Sequence, residues 1–200
     1  MRILVFGATG AVGSRVSQEA LNRGHHVTAV SRAGTVQGDA SDAADVAELS
    51  QGHDVVISAT RPHAGQEAEL TLAAKGLLNG LRFSRVRLIL VGGAASLTVP
   101  GTGRTLAEQP DFPAELRPIA EACNEQLDLV RTATDVDWTY VSPPALLEPG
   151  IRTGNYRLGT DELVVAADGT SSLSMEDFAM ALVDEAERAQ HRGRRFTVGY

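Results

Sequence analysis

The opening thirty-two residues constrain this chain more than any other stretch. An apolar run, Ile3-Leu4-Val5-Phe6, is cut short by Gly7-Ala8-Thr9-Gly10-Ala11-Val12-Gly13. A helical pattern then carries Val12, Val16 and Ala20 on one face, with Leu21 beside them, and Gly24 ends it. A second apolar run, Val27-Thr28-Ala29-Val30, leads to Ser31-Arg32. Strand, glycine-rich turn, helix and strand in that order make a βαβ unit, the repeating element of a parallel sheet with helices on both faces.

The glycine spacing gives this unit a chemical reading. Gly7 lets the chain turn sharply out of the strand, and Gly13 lets the helix pack close to the sheet. Gly10 leaves no side chain between the backbone and an approaching pyrophosphate, toward which the free N–H groups and positive end of the helix would point. Strand, turn and helix supply the context in which such a triplet signifies a dinucleotide site. A site selective for NAD usually ends its second strand on Asp or Glu, which bonds the ribose 2′-hydroxyl. Here the strand ends on Ser31 and Arg32, with no acid until Asp39. A guanidinium pairs with the 2′-phosphate that a carboxylate would repel, so the pattern predicts NADPH in preference to NADH.

Length and composition narrow the remaining classes. Two hundred residues, 43% of them hydrophobic, fit one domain, residues 1–200, with a substantial core. A net charge of −7 argues against a general nucleic-acid binder, which displays a basic face. No apolar run is long enough to span a membrane, and the N-terminus reads as a core strand. Cys123 is the only cysteine, so no internal disulfide can form, and a cytoplasmic protein is expected.

Further along, a short strand is expected around Thr35-Val36-Gln37, and Asp42 is placed to cap a short helix through Val46 and Leu49. Asp54 to Ser58 reads as a buried fourth strand, ending in Ala59-Thr60-Arg61-Pro62-His63. Leu70, Ala73, Ala74, Leu77, Leu78 and Leu81 then recur at helical spacing. Val86 to Val91 makes a fifth strand with a flexible exit, Gly92-Gly93-Ala94-Ala95-Ser96. The segment 98–113 is rich in Pro and Gly, without period, and reads as a lid or substrate loop. Leu116, Ile119, Ala120, Cys123, Leu127 and Val130 mark the next helix, and Cys123 within that stripe reads as a buried, inert thiol. Strands are expected at 137–141, 163–165 and 195–198, with a helix between the last two capped by Ser174 and Asp177.

His25, His26, His53 and His191 all precede strands, which puts them at the sheet edge away from a ligand. Only His63 follows one, and no histidine pair has zinc-ligand spacing, so no metal is expected. Ser96, after strand five, is the best-placed hydroxyl to meet a carbonyl beside a nicotinamide, and Tyr156 is a second candidate in a turn-rich segment.

The Gly7-Ala8-Thr9-Gly10 turn, the Ser31-Arg32 pair, Gly38-Asp39, the Val91-Gly92-Gly93-Ala94 exit, Trp138-Thr139, Ser142-Pro143 and Thr153-Gly154-Asn155-Tyr156 together resemble a known family. They are similar to the atypical short-chain dehydrogenase/reductases, and most of all to the bacterial NAD(P)H-binding proteins assigned as NADH-flavin reductases. The chain is more distantly similar to mammalian biliverdin reductase B, itself a flavin reductase. The resemblance implies a three-layer Rossmann-type α/β fold, a doubly wound parallel sheet in the order 3-2-1-4-5-6 plus a C-terminal strand. It implies NADP(H) across the carboxyl ends of the strands. Gly7, Thr9, Gly10, Ala11, Val12 and Gly13 would hold the pyrophosphate, and Arg32, after Ser31, the 2′-phosphate. Asp39-Ala40 would border the adenine, Ala59-Thr60-Arg61 the ribose, and Ser96 with Ser142-Pro143 the nicotinamide.

Two departures from the family bear on chemistry. The larger dehydrogenase family uses a Tyr-x-x-x-Lys pair, in which lysine lowers the tyrosine pKa. Here the one lysine, Lys75, stands four places after Thr71, and no tyrosine has a lysine four places on. Where the flavin and biliverdin reductases carry a histidine after the second strand-six proline, this chain has Ala145. Two readings follow. One is an NADPH-dependent reductase of flavin, a quinone or a similar planar acceptor, which would lie beneath segments 98–113 and 145–157. The other is a non-catalytic NADP(H)-binding redox sensor of the NmrA-like kind. Neither needs nucleic acid or membrane, and the chain would act as a monomer or homodimer.

Overall fold

A computed structural model describes residues 1–200. Its strands are β1 (Arg2–Phe6), β2 (His26–Ser31), β3 (Val36–Gln37), β4 (Val55–Ser58), β5 (Arg87–Val91), β6 (Trp138–Ser142), β7 (Leu146–Glu148), β8 (Arg157–Gly159), β9 (Ser172–Ser174) and β10 (Arg194–Gly199). The helices are α1 (Ala11–Asn22), α2 (Ala43–Leu49), α3 (Ala68–Leu81), α4 (Arg117–Arg131) and α5 (Met175–Arg188). The main sheet runs β3-β2-β1-β4-β5-β6-β10-β8, parallel except for β8 at one edge. The doubly wound order 3-2-1-4-5-6 with a C-terminal strand beside β6 is therefore the fold. No helix is long and apolar enough to cross a membrane.

The central strands read as unbroken apolar runs because both faces of the sheet are covered. Alternate residues go to opposite layers. Ile3, Val5, Ile57, Ile89 and Phe196 meet Val16 of α1 and Phe178 and Leu182 of α5. Leu4, Phe6, Val56, Leu88 and Leu90 meet Val46 of α2, Leu77 and Leu81 of α3, and Leu127 of α4. Asp42 caps α2, accepting from the Ala44 N–H at 2.8 Å, and Ser174 caps α5, accepting from the Asp177 N–H at 3.0 Å.

Several local expectations are corrected. Leu21 lies off the buried stripe of α1 and is 52% exposed. Asp177 does not reach back to close a capping box. Its carboxylate accepts from the Thr153 N–H and hydroxyl, the Gly154 N–H and the Tyr200 hydroxyl, tying the 150–157 segment to α5. Residues 163–165 form no strand. Leu163 and Val164 are apolar because they are buried, Val164 against Gly159 and Gly199, and not because they join a ladder.

The exit of β5 is close-packed. The Tyr140 ring lies beneath Gly92 so closely that a Cβ there would stand 1.9 Å from Cζ. The Tyr140 hydroxyl donates to the Cys123 carbonyl at 3.0 Å, which fixes α4 over the end of β5.

Candidate cofactor and acceptor site

Strand order reverses between β1 and β4, and a ligand crevice is expected there, outside the carboxyl ends of the strands. A cavity of about 840 Å³ occupies that place. At its centre is the Gly7–Gly13 turn. Gly7 has φ +76°, and a Cβ there would stand 2.6 Å from the Ala59 carbonyl oxygen. A Cβ on Gly13 would meet the Gly7 oxygen at 2.1 Å, so the helix rests directly on the turn. Gly10 differs: its Cβ would find only the Gly7 oxygen, at 3.2 Å, and would otherwise fill the cavity.

Gly10 is also the N-cap of α1, with no side-chain cap and no acid in the first turn. The N–H groups of Ala11, Val12 and Gly13 donate to nothing in the protein. A bare turn and the free Ala11 and Val12 N–H groups lining the cavity at a helix N-terminus fit a diphosphate. The residues present therefore fit a nicotinamide dinucleotide.

The residues expected from the sequence divide clearly. Gly7, Thr9, Gly10, Ala11 and Val12 line the centre of the cavity. Ser31, Arg32, Asp39 and Ala40 line one end, with Ala59, Thr60 and Arg61 along the β4 exit and Pro143 at the other end. Gly13 lies behind the turn and packs it, without reaching the cavity. Ser142 is fully buried beside Pro143, its hydroxyl without a partner, and also lies outside.

Neither hydroxyl expected to face an acceptor does so. Ser96 Oγ accepts from Arg195 Nη1 at 2.8 Å and is turned away from the cavity. Tyr156 lies on the α1–α5 side and donates to Asp184 Oδ2 at 2.5 Å; burial and that carboxylate push its pKa up. The 150–157 segment is held there too, by Arg152 on Glu19 and the Gly150 N–H on Glu176. Only Ala145 and Leu147 of the 145–157 stretch reach the cavity.

The two ends of the cavity differ in chemistry. One carries Ser31, Arg32, Asp39, Ser41, His63 and Glu69. Arg32 Nη1 approaches Glu69 Oε2 at 3.3 Å. The Asp39 carboxyl is held below its usual range by the Ser41 N–H and hydroxyl, with a smaller contribution from the charge of Arg32.

The other end is walled by Val91 to Ala95, by Leu106 and Phe112 of the 98–113 segment, by Leu116 just before α4, and by Ile119, Ala120 and Cys123 of α4. Pro143, Pro144, Ala145, Leu147 and Met175 complete it. No carboxylate, imidazole, ammonium or hydroxyl side chain stands there. Burial pushes the Cys123 thiol there up to about 11, against the smaller opposing effect of the Arg61 guanidinium, which lines the same cavity.

Sequence periodicity missed this wall, because Leu116, Ile119, Ala120 and Cys123 share the stripe that Leu127 continues into the core. The first turns of α4 overhang the sheet, so the same stripe lines a cavity there and a core below. No group of three His, Cys, Asp or Glu side chains is placed to hold a metal ion.

Fold and site together define a Rossmann-type domain built for a nicotinamide dinucleotide. The model for NAD(P)H-binding proteins matches residues 7–189, and the chain belongs to that family. It is 39% identical to the Bacillus subtilis protein YwnB, across 99% of this chain and 98% of that one. Among solved structures it is similar to a candidate epimerase from Bacteroides thetaiotaomicron, at 37% identity and TM-score 0.91, covering 100% of this chain and 96% of that one. It is also similar to a candidate NADH-flavin reductase from Streptococcus pneumoniae, at 32% identity and TM-score 0.90, covering 100% and 99%.

Proposed function

We propose that residues 1–200 act as one cytoplasmic NAD(P)H-dependent oxidoreductase unit that reduces a planar conjugated acceptor, a flavin or a quinone. The observation that carries this reading is the acceptor end of the cavity, which has apolar walls and no side chain able to give or take a proton near neutral pH. When bound, the reduced nicotinamide supplies a hydride. A conjugated acceptor spreads the resulting charge and can take its proton from water, so the chain need only orient two rings and exclude competing reactions. Epimerase or dehydratase chemistry needs a positioned acid and base, which this end does not offer. Arg32 supports NADPH as the preferred donor, because it follows the second strand, lines the cavity and carries a guanidinium able to pair with a 2′-phosphate.

A second reading, an NADP(H)-binding redox sensor, draws on the same bare wall and on the engagement of Ser96 and Tyr156 elsewhere. Purified protein mixed with NADPH and either FMN or a small quinone separates the two. Loss of the reduced-nicotinamide absorbance above the rate without protein supports the reductase. Tight NADPH binding with no oxidation of any planar acceptor supports the sensor.

A further inference from the structure

Arg32 does not meet the cavity as a free cation. Its guanidinium lies 3.3 Å from Glu69, in the first turn of α3, and both side chains line the adenosine end. Asp39 lines the same end and is close enough for Arg32 to influence its ionisation. The two carboxylates are not alike. Asp39 is tied by the Ser41 N–H at 2.8 Å and the Ser41 hydroxyl at 2.7 Å. Glu69 has no polar partner besides Arg32, and its side chain is 40% exposed. Counting formal charges, one guanidinium and two carboxylates leave this corner at −1.

We infer that Glu69 is a coenzyme-selectivity residue, which competes with the 2′-phosphate for Arg32 and keeps the site open to both NADPH and NADH. The inference rests on the reading of this cavity as a dinucleotide site. A 2′-phosphate carries nearly two negative charges and must take Arg32 from Glu69 at close range. A 2′-hydroxyl carries no charge and leaves the Arg32–Glu69 pair in place. The acid that NAD-selective sites carry at the end of the second strand is thus supplied here from α3, thirty-seven residues later.

The test uses calorimetric binding of 2′,5′-ADP and of 5′-AMP, two probes that differ by the 2′-phosphate. NADPH and NADH are measured beside them, on the full chain and on Glu69→Gln and Arg32→Gln. Glu69 is exposed, and thermal melts of both variants check that they fold. The expected result is that Glu69→Gln tightens 2′,5′-ADP and NADPH about tenfold while 5′-AMP and NADH move less than about twofold. Arg32→Gln should weaken only the 2′-phosphorylated pair. If Glu69→Gln shifts all four ligands equally, or none, the role assigned to Glu69 is overturned. In that case selective loss at Arg32→Gln leaves the NADPH reading standing. If the unmutated chain binds none of the four, the cofactor reading fails as well.

Discussion

Glycine positions that look equivalent in the sequence do different work, and substitution separates them. Gly13→Ala would place a methyl 2.1 Å from the Gly7 carbonyl oxygen, a contact the backbone can relieve only by lifting α1 off the turn. It is expected to cost about 1–3 kcal/mol, read as a fall in the midpoint of denaturant unfolding. Gly10→Ala meets one atom at 3.2 Å and stands in the cavity. Its stability should stay within about 1 kcal/mol of the parent, while NADPH binding weakens by at least about tenfold. Cys123 gives a second residue-scale expectation. With its pKa pushed up to about 11, about one thiol in ten thousand is ionised at neutral pH, so iodoacetamide should label it far more slowly than a free thiol. The sequence named the loops that bear Ser96 and Tyr156 but not which way those side chains turn. Arg195, ninety-nine positions later, captures Ser96, and Asp184 captures Tyr156. Pairings at that range leave no local periodicity or motif to read.

At the scale of elements, local pattern predicted most of what local physics decides. The βαβ opening, the Asp42 and Ser174 caps and the apolar strands were all legible, because each follows from nearby residues. What escaped was the use made of loops and helix ends. The 98–113 segment is a wall more than a lid. Thr98 bridges to Thr105 and Glu162, the Leu106 N–H donates to the Leu97 carbonyl, and Thr105 with Glu108 closes a capping box. Its two inward side chains, Leu106 and Phe112, face the acceptor end. Phe112→Ala is therefore expected to raise the KM for the acceptor several-fold, with the NADPH dissociation constant unchanged. Equal losses for both ligands would place Phe112 in general packing instead.

Across the whole molecule, linked ion pairs through Arg15, Arg23 and Arg152 join α1, α5 and the 150–157 segment. Arg152 holds the Glu19 carboxyl below its usual range. Burial alone would raise Asp177, but hydrogen bonds from Thr153, Tyr200 and Gly154 outweigh it and lower the carboxyl. Burial likewise opposes Glu185, and His191 with Arg87 overcomes it. A carboxyl depressed in the folded state stabilises fully above its unfolded pKa, near about 4, and that stability is lost as pH falls through the folded value. The melting temperature should thus hold near neutrality and fall steeply below about pH 4, and Asp177→Asn should flatten part of that fall. Glu185→Ala should cost about 3–5 kcal/mol, because it leaves the buried Arg87 without its partner.

The cavity's apolar end carries the functional account, and the pH dependence of hydride transfer tests it most directly. With NADPH bound and a quinone mixed in, the single-turnover rate of nicotinamide oxidation should be level from about pH 6 to about pH 9, since no side chain there changes charge in that range. A rate that rises or falls through a single ionisation would reveal a proton donor that this account excludes. No oxidation at any pH, despite NADPH binding, would contradict it outright.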